Sequence, residues 1–152
     1  MAELINNRVF KNIRRAVIMG TGSAVPDNVL TNSDLEKIVD TTDEWITTRT
    51  GIKERRIITN GQTTASLGLE AARKALQMAN FDPQDLNLII CATITPEMVF
   101  PSTACFIQNG LGNRSCCAFD ISAACSGYIY AISAAASFIA TGMYDNALVV
   151  GA

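Results

Sequence analysis

The most informative stretch of this 152-residue chain is AACSGYIYAISAAASFIAT, which covers residues Ala123–Thr141. It contains seven alanines and is predicted to form a helix that is small and apolar on nearly every side. Such a helix is either buried or spans a membrane. A span needs about 20 predominantly apolar residues, and we reject it because polar or small residues lie in or beside the stretch (Ser122, Ser126, Gly127, Tyr130, Ser133 and Ser137). We expect a buried helix that is covered on more than one side, as in a stack of sheet, helix, helix and sheet.

Strand-like and helix-like segments alternate along the rest of the chain. Continuous apolar runs such as Leu88–Thr93 and Ala118–Ile121 are typical of strands covered on both faces. Thr64–Asn80 has the period of an amphipathic helix. The alternation predicts an α/β fold with a largely parallel sheet. The other predicted elements are strands at Ala16–Met19, Glu54–Thr59 (weakly) and Asn146–Ala152, a helix at Thr103–Leu111, and two short helices starting from capping boxes at Ser33–Glu36 and Thr41–Glu44, the second ending near Gly51.

Composition excludes several classes of protein. The chain has no histidine, which rules out Ser-His-Asp or Cys-His catalysis and His-ligated zinc within these residues. Twelve basic against fourteen acidic residues argue against a nucleic-acid-binding protein. Five cysteines without a CxxC pair fit reduced thiols in a cytoplasm better than disulfides or a metal site, and the polar N-terminus is no signal peptide. The last predicted strand coincides with the end of the chain, so we expect a fragment of a longer protein.

Cys125 lies where a predicted strand passes into the apolar helix. The segment DISAACSG (Asp120–Gly127) ends the strand at Ile121 and places Cys125 in the first turn of the helix. Free backbone donors and the positive end of the helix dipole favour a thiolate there, and nearby amides can form an oxyanion hole. This pattern predicts a nucleophile. The alternative is that Cys125 packs as a small apolar residue, which is the role we predict for the other four cysteines (Cys91, Cys105, Cys116 and Cys117).

Two segments resemble the β-ketoacyl-acyl carrier protein synthase III family. DISAACSGY (Asp120–Tyr128) is similar to that family's nucleophile segment, and TDEWITTRTGI (Thr42–Ile52) resembles its N-terminal signature. The resemblance runs from about Val17 to the last residue and includes FPSTAC (Phe100–Cys105) and ALVVG (Ala147–Gly151). The thiolase superfamily shares the cysteine elbow, but its degradative thiolases and plant-type polyketide synthases lack the Trp-Ile-x-x-Arg-Thr-Gly-Ile element.

The resemblance implies a thiolase-like α/β fold in which two similar halves form a five-layer αβαβα sandwich, with residues 1–152 as the N-terminal half. It implies an acyltransferase of fatty acid biosynthesis in which Cys125 accepts a short acyl group from acyl-coenzyme A. Malonyl-acyl carrier protein then decarboxylates and attacks the thioester to give 3-oxoacyl-carrier protein and CO2. It also implies a cytoplasmic homodimer with no cofactor besides the coenzyme A thioester substrate, and no metal or membrane.

The resemblance assigns substrate-binding residues as well. Trp45 and Arg49 are spaced i, i+4 on a predicted helix and share a face. The matching family pair holds the adenine of coenzyme A, and an indole and a guanidinium are suited to stacking on a purine. Phe100 matches a position that helps close the acyl pocket across a dimer interface. Taken alone, Trp45 also fits core packing, and Phe100 fits an ordinary core or loop aromatic. We expect the local basic cluster either to contact coenzyme A phosphates or the carrier protein, or to be a solvated face (Arg49, Lys53, Arg55 and Arg56).

The sequence departs from the family in one respect. The synthases need a histidine and an asparagine to stabilise the enolate and thioester oxygens, and both belong to the C-terminal half, which is absent. We therefore expect that this chain alone does not complete the condensation. Two alternatives stay open: another thiolase-superfamily acyltransferase of secondary metabolism, and a non-catalytic half-length binding or scaffold protein. The turn Gly20-Thr21-Gly22 is discounted as a dinucleotide motif because it lacks the third glycine.

Overall fold

The computed structural model describes residues 13–59 and 61–152, which form two compact units. The smaller unit is Ala24–Thr63, and the larger comprises residues 13–23 and Thr64–Ala152. The smaller unit contains Trp45 and Arg49, and the larger contains Phe100 and Cys125.

The smaller unit is a two-stranded antiparallel ribbon with two short helices. Strand β1 (Val29–Thr31) pairs with β2 (Glu54–Arg56). Helices α1 (Asn32–Leu35) and α2 (Asp43–Thr50) connect the two strands. As predicted, α2 ends at Gly51, which has a φ of 72° that glycine adopts readily.

The predicted capping boxes at Ser33–Glu36 and Thr41–Glu44 are wrong, although both helices exist. The hydroxyl of Thr31 caps α1 by accepting the Asp34 amide, and the Asp34 carboxylate accepts the Thr31 amide in return. The hydroxyl of Thr42 caps α2. Hydroxyl residues lie close together at both sites, so the local pattern does not specify which one has the extended backbone that an N-cap needs.

The larger unit is built on a parallel sheet of three strands, as the alternating pattern predicted. The strand order is β4-β3-β5, with the central strand β3 buried along its whole length. In chain order its elements are α3 (Thr64–Ala79), a 3-10 turn (Pro83–Asp85), β3 (Leu88–Ala92), α4 (Thr103–Leu111), β4 (Cys117–Ile121), a second 3-10 turn (Ala124–Ser126), α5 (Gly127–Thr141) and β5 (Leu148–Gly151).

Helices cover both faces of this sheet. On one face, α3 and α4 pack around a cluster that includes Ile89 and Ile107. On the other, Ala131 and Ala135 of α5 pack against a cluster that includes Ile90. Because successive residues of a strand point to opposite faces, this arrangement explains why the run at β3 is continuously apolar.

Helix α5 is covered on one side by the described residues rather than on more than one. Ala131 and Ala135 are buried against the sheet, whereas Ile129 and Tyr130 are 61% and 56% exposed. Residues 124–141 are long and apolar enough to cross a membrane, but a single such helix is weak evidence of a membrane span, because the core helices of layered domains meet the same criteria. The packing of its small residues on a parallel sheet is that of a helix in a layered α/β domain.

The segment Ala16–Met19, predicted as a buried strand, is not a strand. Val17 and Ile18 are 74% and 81% exposed, and no strand of the described residues pairs with this segment. The glycines that follow serve close packing against α3: a Cβ atom on Gly22 would lie 2.5 Å from the backbone nitrogen of Ala75. The turn Gly20-Thr21-Gly22 therefore packs against α3.

Candidate active site

Cys125 lies in the 3-10 turn between β4 and α5. The residue is exposed, and α5 begins two residues later, so the thiol precedes the helix instead of lying in its first turn as predicted. The amide and the hydroxyl of Ser126 both donate to the carbonyl of Ala123, at 3.2 and 2.9 Å. Ala124 has a φ of 45°, which is uncommon for a residue with a Cβ atom. These features produce a sharp turn that carries an exposed thiol.

Two of the other cysteines are buried in the larger unit. Desolvation, with smaller contributions from the charges of Asp120 and Glu97, raises the pKa of the Cys91 thiol from 9.0 to about 12. Burial likewise raises the pKa of the Cys116 thiol. Both thiols stay protonated at neutral pH and pack in the core, as predicted. Of the remaining pair, Cys105 is half-buried and Cys117, predicted to pack, is exposed at the opposite end of β4 from the turn.

Asp120, on the strand that leads to this turn, anchors α4. Its two carboxylate oxygens accept the backbone amides of Thr103 and Ala104 at 2.7 and 2.8 Å. Ser102, the residue just before the helix, makes no side-chain capping hydrogen bond. A carboxylate at this position satisfies amides that lack an intrahelical acceptor and interacts favourably with the helix dipole. The strand that precedes Cys125 thus also holds the start of α4.

Phe100 lies in the loop between β3 and α4. Its side chain is 85% exposed, and the neighbouring Val99 is fully exposed. The loop is attached to the start of α3, because the Thr64 hydroxyl donates to the carbonyl of Thr95 at 2.7 Å and the Glu97 carboxylate accepts the amide that follows Thr64. An exposed aromatic side chain is therefore carried on a loop that is anchored near both ends, by α3 and by Asp120.

Trp45 and Arg49 contact each other on the outer face of α2. The guanidinium carbon of Arg49 lies 5.1 Å from the centroid of the Trp45 ring, which is a cation–π contact. Trp45 is 56% exposed, so the predicted alternative of core packing is wrong. Two open depressions of about 280 and 350 Å³ adjoin the indole, and Thr42 lines both. The indole and the guanidinium thus face solvent beside the two depressions.

The basic cluster beside this pair is largely engaged within the smaller unit. The Arg55 guanidinium donates to the side-chain oxygen of Asn32, and Arg56 pairs with Glu54 at 3.0 Å. Hydrogen bonding of Arg55 to a buried side chain favours a structural role for it over contact with phosphates or a carrier protein.

Sequence reasoning missed two polar side chains that support these elements, Asn32 and Asp120. Asn32 is 1% exposed and hydrogen-bonds to several points around α2. The signal that could have found Asp120 is a carboxylate beside an apolar strand run, because a charged residue there needs a partner. Asn32 offered no comparable signal, since it lies among threonine, serine and aspartate at a helix start.

Known proteins resemble this chain in sequence. A family profile described as 3-Oxoacyl-[acyl-carrier-protein (ACP)] synthase III matches residues 119–152, which include Cys125. The β-ketoacyl-[acyl-carrier-protein] synthase III of Caldanaerobacter subterraneus subsp. tengcongensis is 59% identical over 137 residues, which are 90% of this chain and 41% of that protein. This chain is a homologue of β-ketoacyl-[acyl-carrier-protein] synthase III. It spans about two fifths of the length of the curated relatives it matches.

Solved structures of synthase III enzymes resemble this chain as well. The crystal structure of 3-oxoacyl-[acyl-carrier-protein] synthase III from Aquifex aeolicus VF5 is 59% identical and has a TM-score of 0.87, covering 89% of this chain and 44% of that one. The priming β-ketosynthase from the R1128 polyketide biosynthetic pathway is 36% identical with a TM-score of 0.88, covering 92% of this chain and 42% of its own. The predicted thiolase-like α/β fold is therefore confirmed.

Proposed function

We propose that this chain supplies the acyl-accepting cysteine and one side of the coenzyme A site of a synthase III that starts fatty acid synthesis. The Sγ atom of Cys125 attacks the carbonyl carbon of a short acyl-coenzyme A, the bond from that carbon to the coenzyme A sulfur breaks, and the coenzyme A thiol leaves with the proton. Malonyl-acyl carrier protein then loses CO2, and the resulting carbanion attacks the acyl-cysteine. The Cys125 thiolate is released, and 3-oxoacyl-carrier protein is formed.

The observation that carries this proposal is the place of Cys125 in the fold. The thiol is exposed in a turn beyond the carboxyl end of β4, the edge at which open α/β sheets bind ligands. Ser126 makes no side-chain capping hydrogen bond at the start of α5. Amides of the first helical turn have no intrahelical acceptor, so they suit the negative oxygen that forms when a thioester is attacked.

Trp45 and Arg49 are proposed to hold the adenine of coenzyme A. A base stacked between two flat groups needs them about 7 Å apart, since each stacked layer is about 3.5 Å thick. The 5.1 Å contact is too short for this, so Arg49 must swing away from Trp45 to admit the base. Binding then exchanges one cation–π contact for stacking on both faces of the purine.

The rest of the reaction is assigned to residues outside this chain. We propose that residues 1–152 are the N-terminal thiolase-like half, and that a histidine and an asparagine from the rest of a longer protein stabilise the enolate and thioester oxygens. Phe100, exposed at its loop, is proposed to close the acyl pocket of a second copy in a homodimer. The five free cysteines are compatible with a cytoplasmic location. Thioester exchange and decarboxylative condensation proceed through side chains alone in this scheme, with no metal or further cofactor.

Intact-mass measurement after incubation with acetyl-coenzyme A tests the acylation step. The chain is mixed with the remaining part of the Aquifex aeolicus relative, produced as a separate polypeptide, and the expected product carries one acetyl group. Cys125→Ala should abolish the adduct, whereas the matched control Cys117→Ala, which removes another exposed thiol, should retain it. An adduct that survives Cys125→Ala, or no adduct in the complemented sample, refutes the proposal.

A second candidate is a priming ketosynthase of a polyketide pathway. The observation that favours it is the TM-score of 0.88 with the R1128 enzyme, against 0.87 with the Aquifex aeolicus protein. Identity favours fatty acid synthesis, at 59% against 36%. Measuring which carrier protein accepts the acyl group from Cys125, that of fatty acid synthesis or that of a polyketide pathway, separates the two.

A further inference from the structure

We propose that Asn32 is a positioning residue that fixes the rotation of α2, so that Trp45 and Arg49 face the same direction and a movement of the Arg49 side chain alone admits a purine between them. The inference rests on the proposed function, in which this pair binds the adenine of coenzyme A. Asn32 is 1% exposed and is the first residue of α1, directly after β1. It therefore cannot contact a ligand at the outer face of α2 and acts only through the elements that it joins.

The side chain of Asn32 joins the start of α2, its middle and the segment just beyond its end to the ribbon. The two hydrogens of its Nδ2 atom serve three acceptors, one of them through a shared hydrogen bond: the Asp43 carboxylate at 2.7 Å, the Ile52 carbonyl at 2.8 Å and the Thr47 hydroxyl at 3.2 Å. Its Oδ1 atom accepts from the Arg55 guanidinium on β2. The Thr47 hydroxyl in turn donates to Asp43 at 3.2 Å. Both polar atoms of the amide are thus used in a buried network.

These contacts determine the rotation of α2 about its axis. Asp43 and Thr47 are four residues apart, as are Trp45 and Arg49, and the two pairs are offset by two residues. At 3.6 residues per turn, an offset of two residues is about 200°, so the pairs lie on opposite faces of the helix. Asn32 holds the inner face at two successive turns, and the outer face then presents the indole and the guanidinium in one direction.

Loss of this network should loosen the rotation of α2 without unwinding the helix. The N-cap at Thr42 and the C-cap at Gly51 do not involve Asn32, and Ile46 remains in the core. Asp43, however, would lose the donor that ties it to the ribbon. Stacking depends on parallel planes at van der Waals distance, so a loosened α2 should bind a purine less tightly.

The fluorescence of Trp45, the only tryptophan in the sequence, provides a direct readout. The 152-residue chain is titrated with coenzyme A and with adenosine 3′,5′-bisphosphate, its nucleotide portion. Asn32→Ala is compared with Asn113→Ala, a matched control in the larger unit. Asn113 is 2% exposed, and its side-chain amide also makes several hydrogen bonds, in this case to the backbone carbonyls of residues 83, 84 and 86. Both variants should lower the urea midpoint, but only Asn32→Ala should raise the Kd, by about tenfold.

The outcomes separate the inference from the proposed function. If wild-type chain shows no fluorescence response to either ligand, the proposed coenzyme A site fails and the role of Asn32 fails with it. If wild type responds but Asn32→Ala and Asn113→Ala have the same Kd, only the positioning role is overturned. If Asn32→Ala does not fold, Thr47→Val is used in its place. Its control is then Thr50→Val, because the Thr50 hydroxyl makes hydrogen bonds only within α2 and to the turn after it. Equal Kd values for these two variants also overturn the inference.

Discussion

Replacing Asp120 with alanine should destabilise the larger unit by about 3 kcal/mol. The carboxylate accepts the amides of Thr103 and Ala104 at 2.7 and 2.8 Å, and both residues are completely buried. Water cannot easily replace the lost acceptor at such a site. A hydrogen bond to a charged group contributes about 1.5–3 kcal/mol, and we take the lower end for each because the two bonds share one carboxylate. Asp120→Asn should cost about half as much, since the amide keeps one acceptor oxygen.

Ser102→Ala is the matched control for this prediction. Ser102 occupies the position where capping rules place a hydroxyl, yet it makes no capping bond, and its Oγ atom lies instead 3.2 Å from the Cys105 sulfur. We expect its replacement to cost about 0.5 kcal/mol or less. Urea unfolding followed by far-UV circular dichroism measures both variants, and hydrogen exchange reports the amides of residues 103 and 104 directly. The reasoning is refuted if Ser102→Ala is the more destabilising change, or if exchange at these two amides is unaltered in Asp120→Ala.

Three further predictions concern stability. Gly22→Ala should lower the thermal midpoint strongly and expose residues 13–23 to proteolysis, because its Cβ atom would lie 2.5 Å from the backbone nitrogen of Ala75, where a helix cannot yield. In the wild type, the Cys91 thiol keeps its proton in the native state, where its pKa is raised to about 12, and loses it above 9.0 in the unfolded state. The free energy of unfolding should therefore fall by about 1.4 kcal/mol per pH unit between pH 9 and 11 because of this group, and Cys91→Ala should remove that part of the fall in a urea titration. Cys125→Ala should change the free energy of unfolding by no more than about 0.5 kcal/mol because the residue is exposed, and a larger loss in urea titration would indicate a packing role.

The sheet and its helices could be predicted because their apolar patterns are local and strong. The helix predicted at Thr103–Leu111 has those bounds in the structure, and the amphipathic segment Thr64–Asn80 ends one residue earlier than expected. The continuous run at β3 correctly indicated a strand between two helical layers. Such patterns reflect burial of apolar side chains, which is the dominant contribution to folding and depends on the apolar or polar character of each residue.

Features that depend on a distant partner could not be predicted in the same way. Ala16–Met19 has the composition of a strand, but a strand needs a neighbour for its backbone hydrogen bonds, and composition does not supply one. The start of α4 shows the same limit. The sequence rule for N-caps selects Ser102, whereas in the structure the first amides of the helix donate to Asp120, which is 17 residues from Thr103. The place of Cys125 was predicted to within two residues, because the end of the apolar strand marks the turn.

The exposed candidate site residues derive their geometry from buried polar contacts behind them. Phe100 and Trp45 are 85% and 56% exposed, so their own packing restrains them little. Trp45 lies on α2, whose inner face is held by the buried Asn32. Phe100 lies in the loop before α4, whose first backbone amides are held by Asp120 of β4. A buried polar contact is specific in direction, whereas apolar burial is not. Substitutions at Asn32 and Asp120 should therefore alter the ligand binding that we propose for Trp45 and Phe100.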